Sequence, residues 1–138
     1  MTMFWSPDDP AHPSTITADQ LVGDSHLGIR SASLLVGPLA AYGSSGRQFE
    51  PSRVMVLGVD SYDVGGLSPT HVHPDKEKVY VVLAGQAKIT IGDESRVLGP
   101  SGMAFAPVDV PHSFENVGQE VLVIGAVFAF VEDPAGRR

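Results

Sequence analysis

From residue 50 onward the chain is a succession of short apolar runs. "RVMVLGV", "VYVVLAG", "QAKITIG", "SRVLG", "MAFAP" and "EVLVIGAVFAF" are rich in β-branched and apolar residues, as is "ASLLV" before them. Such runs read as strands, because these side chains fit a pleated, half-buried surface. Turn signals separate them at Gly37-Pro38, Gly43 to Gly46, Gly65-Gly66, Gly92-Asp93, Gly99-Pro100 and Gly118. "QAKITIGDESRVLG" alternates about its Gly-Asp pair and predicts a hairpin. No helical period is sustained after position 50. The pattern predicts an all-β sandwich or barrel.

Residues 1 to 30 break this rhythm, being rich in Pro, Asp, Ser and Thr. They read as an extended arm with turns. A chain of 138 residues has room for one domain with a proper core. The expected organisation is therefore an arm at 1–30, a single β domain at 31–132 and a polar tail at 133–138.

Composition narrows the function classes. Hydrophobic residues make up 43% and charged residues 18%, which excludes wholesale disorder. A net charge of −7 weighs against nucleic-acid and anionic-membrane partners, which select basic patches. Cysteine is absent, so disulfides, Cys-ligated zinc and thiol nucleophiles are excluded. The start, "MTMFWSPDDP", lacks the basic and apolar regions of a signal peptide. The apolar tail "VLVIGAVFAFV" is too short to span a bilayer. A soluble, cytoplasmic protein is expected, with no nucleic-acid or membrane partner.

The candidate chemistry lies in "THVHPDKEKVYVVLAG", Thr70 to Gly85. Side chains two apart on a strand share a face, so His71 and His73 would converge. The double glycine before them and Pro74 after them favour extended backbone. Imidazole nitrogens bind divalent metals well. A third histidine, His112, follows Pro111 at the start of another expected strand, which a barrel could bring alongside. His12 and His26 lie in the arm and read as surface residues. Tyr80, Phe105 and Phe114 read as core, and the Phe4-Trp5 pair as packed against something.

These stretches resemble the cupin family. "GGLSPTHVHPDKEKVYVVLAG" is similar to its first motif, G-x5-H-x-H-x3-4-E-x6-G, and "GPSGMAFAPVDVPHSFEN" to its second, G-x5-P-x-G-x2-H-x3-N. Five residues separate Gly65 from His71, and Pro107 and Asn116 fall in register with His112. The resemblance covers residues 50 to 130 and implies a small jelly-roll barrel. It also implies one divalent transition metal ion (Fe, Mn, Zn, Ni or Cu) held by His71, His73 and His112. At the family's glutamate position stands Lys78, while Glu77 is one residue early. Glu77 shares strand parity with Val79 and Val81, and Lys78 with Tyr80 and Val82, so only one of the two can face inward without a bulge. Glu77 is kept as the candidate fourth ligand. In the second motif Ser101 and Asp109 replace glycines, and aspartate tolerates left-handed backbone better than most residues.

The resemblance implies a metal-dependent enzyme acting on a small, oxygen-bearing, anionic organic substrate. The chemistry would be oxygenation, or Lewis-acid decarboxylation, lyase or isomerase reaction. Lys78 and Tyr80 are the candidate proton-transfer groups, with Glu77 beside them. The alternative is a non-catalytic module that binds a small ligand or metal, and a third reading is a purely structural barrel. Cupins of this size pair through strand edges, so the resemblance also implies a homodimer.

Overall fold

A computed structural model describes residues 15–17, 27–37, 50–51 and 54–131. Among these residues it contains ten strands and no helix. They are β1 (Thr15–Thr17), β2 (Leu27–Gly37), β3 (Glu50–Pro51), β4 (Met55–His71) and β5 (Lys76–Ala84). β6 (Ala87–Ile91), β7 (Glu94–Leu98), β8 (Met103–Ala106), β9 (His112–Asn116) and β10 (Leu122–Phe130) complete the set. The strand order is β7-β6-β9-β4-β10-β5-β8, with β2 alongside β4, and β1 and β3 on β2. Every pairing is antiparallel except that of β2 with β3. The sheet curls into a nearly closed barrel, as the all-β jelly-roll expectation requires.

Alternation decides what points inward. On β5, Lys78, Tyr80 and Val82 are buried, whereas Val79 and Leu83 are exposed. On β9, His112, Phe114 and Asn116 are buried. Tyr62, Tyr80, Val82, Ala87, Ile89, Phe114, Leu122 and Ile124 form the core with Ile29 of β2. Burying each large apolar side chain contributes about 1.5–3 kcal/mol. Edge-to-face contacts tie Phe114 of β9 to Tyr62 of β4 (4.9 Å) and to Tyr80 of β5 (5.3 Å). Phe105, expected in this core, is instead half exposed, because Ala104 and Ala106 take the inward positions of β8.

The hairpin read around Gly92-Asp93 is present, with Ile91 paired to Glu94 and Gly92 at φ +59°. Gly65-Gly66, expected as a turn, is instead a bend inside one strand of 17 residues. Gly65 adopts φ +81°, a conformation glycine reaches without steric cost. Before the bend β4 pairs with β10 and after it with β9, while β2 pairs with it on both sides. Beyond the bend the end of β4 lies beside the start of β9.

Part of the stretch expected as an arm is strand, namely β1 and the beginning of β2. Phe4, Trp5, His12, His26 and the tail at 133–138 lie outside the described residues.

Candidate metal centre

A register shift between Ser68 and His71 makes His71 and His112 partners across β4 and β9. His73 follows just past the end of β4. The three rings gather at centroid separations of 4.3 Å (His71–His112), 4.9 Å (His71–His73) and 5.3 Å (His73–His112). One nitrogen from each lies within 4.8 Å of the others.

Local backbone sets the tautomers. His71 Nδ1 lies 2.7 Å from the carbonyl of Pro69, and His112 Nδ1 lies 2.9 Å from that of Val110. A carbonyl only accepts, so Nδ1 carries the proton in both rings and Nε2 keeps its lone pair. Each bond runs to the residue two positions back, beside Pro69 itself or Pro111. His73 Nε2 and His112 Nε2 are buried with no hydrogen-bond partner. Buried polar atoms are ordinarily satisfied, so two ring nitrogens left bare in one cluster have the form of a metal site. The oriented N–H to carbonyl bonds are the supporting interactions that metal-binding imidazoles ordinarily have.

The electrostatics favour the neutral form of His73 and His112. Burial, then the nearby Lys76, His71, Lys78 and His112, lower the His73 pKa to about 4. Burial also lowers that of His112, opposed by its bond to Val110 and assisted by His71 and Lys78. Neutral imidazole is the form that ligates.

Strand parity places the remaining candidates. Lys78 turns inward, 5% exposed, with Nζ 4.2 Å from the Phe128 ring centroid and 4.7 Å from that of Tyr80. Tyr80 is fully buried, its ring 6.1 Å from that of His112 and its hydroxyl without a hydrogen-bond partner. Burial, then the Asp60 carboxylate, push its phenol well above the usual range, so it stays a neutral hydroxyl. Glu77, the candidate fourth ligand, is not brought to the histidines. It shares the outward face of β5 with Val79 and Leu83, and no bulge reverses it there. Among the described residues the converging group is His71, His73 and His112.

Asn116 serves the loop rather than the centre. Its Nδ2 donates to the carbonyls of Tyr62 (3.2 Å) and Glu120 (2.9 Å), and its Oδ1 accepts from the Gly118 N–H (3.0 Å). Sequence reasoning missed Phe128, whose ring lies 5.9 Å from that of His73 and beneath the Lys78 ammonium. The inward parity of β10 could have found it, given the register that pairs Phe128 with Lys78.

The geometry agrees with known proteins. The family model for the cupin domain matches residues 58–128, over half of the chain. A Streptomyces coelicolor protein of uncharacterized function is 30% identical over 77 residues, covering 56% of this chain and 72% of its own. The crystal structure of a DMSP lyase from Ruegeria pomeroyi superposes with a TM-score of 0.56 at 25% identity, covering 71% of this chain and 45% of that one. A predicted oxalate decarboxylase from Thermotoga maritima superposes with a TM-score of 0.62 at 16% identity, covering 86% of this chain and 92% of that one, a likeness of fold alone.

Proposed function

The chain belongs to the cupin family, and from that premise we propose that it is a mononuclear metal-dependent enzyme for a small, oxygen-bearing, anionic organic substrate. The observation that supports this is the triad itself: three imidazoles within ligating reach of one another, two of them with buried, unpartnered Nε2 atoms.

His71, His73 and His112 would hold a divalent transition ion, which when bound supplies a Lewis acid for a carbonyl or carboxylate, or a site for O2 if it is iron. With three protein ligands, coordination positions remain for substrate. The residues around the triad would select and orient that substrate. Lys78 presents a cation inside the barrel wall, close enough for its charge to bear on His73 and His112. It would steer an anionic group toward the centre and hold or deliver a proton. Tyr80 would donate a hydrogen bond from a hydroxyl that stays neutral. Glu77, facing outward, has no part in this arrangement. The likeness to a lyase at 25% identity favours the non-oxidative branch, a decarboxylase or lyase, over oxygenation.

Elemental analysis of the purified protein beside a His71→Ala/His73→Ala variant tests this reading. About one transition metal per chain, lost in the variant, is the expected result. No metal in either protein after reconstitution would sink it and leave a ligand-binding or structural barrel. A metal that stays bound while small carboxylates bind without turnover would instead favour a non-catalytic binding module.

A further inference from the structure

β7 and β8 are the two ends of the main strand order, and among the described residues they do not pair with each other. A cavity of about 410 Å³ lies in this seam. Its walls are Ile89 and Ile91 of β6, Leu98 of β7 and Ala104 of β8, with Met103 and Phe105 exposed at its mouth. A volume of several hundred cubic ångströms suits a small molecule rather than a protein segment. Glu94 and Arg96 also line it, but their charges are engaged with each other at 2.8 Å. The side chains of Ile89, Ile91, Leu98 and Ala104 are what the seam offers to the apolar part of a ligand.

Its inner wall adjoins the histidines. Ile91 is the register partner of His112 across β6 and β9, and Ala104 is that of Tyr80 across β8 and β5. Directly opposed residues of neighbouring strands share a face with Cβ atoms about 4.5–5.5 Å apart. The cavity wall thus stands one side chain from a metal-ligand candidate on one flank and from the buried phenol on the other.

We infer that the seam cavity receives the apolar body of the substrate while its anionic head reaches the histidine centre. The substrate class is then a carboxylate bearing an apolar chain, rather than a small, wholly polar acid. This inference rests on the metal-centre reading and adds to it the seam residues Ile91, Leu98, Met103 and Ala104 as determinants of specificity.

Acetate, butyrate, hexanoate and octanoate would be titrated into protein loaded with cobalt(II), its metal content measured first. Perturbation of the visible cobalt spectrum reports the head at the metal. The expected result is an affinity that rises about fourfold per added methylene, the factor for burying one CH2, until the cavity is filled. Ala104→Phe, which fills the cavity, and Met103→Asp, which charges its mouth, should flatten that series while cobalt content and acetate affinity stay within about twofold. Met103 is 69% exposed, so its variant carries the test should Ala104→Phe not fold. Acetate binding as tightly as octanoate to the cobalt-loaded protein would overturn the inference and leave the metal centre standing. Unchanged series in both folded variants would do the same. Octanoate that binds equally to metal-free protein and leaves the cobalt spectrum unmoved would separate cavity from centre and also overturn it. A protein that takes up no cobalt would overturn the metal-centre reading and this inference together.

Discussion

His71 and His112 are 41 positions apart in the chain yet stand opposite one another across β4 and β9, their rings 4.3 Å apart. A register shift between Ser68 and His71 sets them opposite, and the backbone carbonyls two residues behind each ring aim it. Replacing any one of His71, His73 and His112 by alanine should lower transition-metal affinity by more than about 100-fold, beyond the 10- to 100-fold expected for a supporting residue. Competition against a chromogenic chelator measures this. A loss below tenfold in all three variants would show that the rings do not share an ion.

Lys78 occupies the inward position at which the family pattern has glutamate, and its ammonium lies 4.2 Å from the Phe128 ring centroid. Lys78→Glu should therefore raise metal affinity by about tenfold and lower affinity for acetate by at least about tenfold, since it reverses a charge facing a cation in a poorly screened site. Lys78→Met, which keeps the packing, should weaken acetate binding without tightening metal. Parallel titrations of the three proteins check both signs. Equal acetate affinity throughout would remove Lys78 from substrate binding.

Much of this centre was legible in the sequence because strand parity is local. An H-x-H pair must converge if the backbone is extended, and His112 carries the same inward parity as Phe114 and Asn116. Parity also stated the choice between Glu77 and Lys78, but not its outcome, which depends on where β5 enters the barrel. Its pairing with β10 and β8 sets Lys78 against Phe128 and Ala106 on the inner face. Gly65-Gly66 misled because two glycines signal a turn equally well as a bend. Only the change of partners along β4, a non-local fact, tells them apart. Phe105 was misplaced for a related reason: an aromatic on an edge strand has an open side, and no local pattern marks which strands are edges.

The lowered pKa values carry a sign. In the unfolded chain His73 and His112 recover an ordinary pKa near 6.5, whereas folded His73 sits at about 4 and folded His112 also lies lower. Between those values the unfolded state binds more protons, so the metal-free protein loses stability as pH falls from about 6.5 toward 4. Denaturant titrations of chelator-treated protein across that window should show the midpoint dropping, and His73→Ala should flatten the slope. A flat wild-type profile would mean that the rings are more solvated than their burial implies.

Asp109 connects backbone strain to the centre. It adopts φ +63° where the family pattern has glycine, and its N–H donates to the carbonyl of His73 at 2.9 Å. Ser101, at the other replaced glycine, adopts φ +75°. Left-handed backbone costs an ordinary residue about 1–2 kcal/mol, less for aspartate, and glycine returns part of the gain as unfolded-state entropy. Ser101→Gly should therefore stabilise by about 0.5–1 kcal/mol and Asp109→Gly by less. Asp109→Gly keeps the N–H and should leave metal affinity unchanged. Asp109→Pro removes that donor and cannot adopt a positive φ, so it should destabilise the protein and also lower metal affinity by about tenfold, the lower end of the range for a supporting group. Denaturant midpoints and metal titrations on the three variants separate the two effects. If Asp109→Pro folds and binds metal as tightly as Asp109→Gly, the bond to His73 plays no part in aiming that ring.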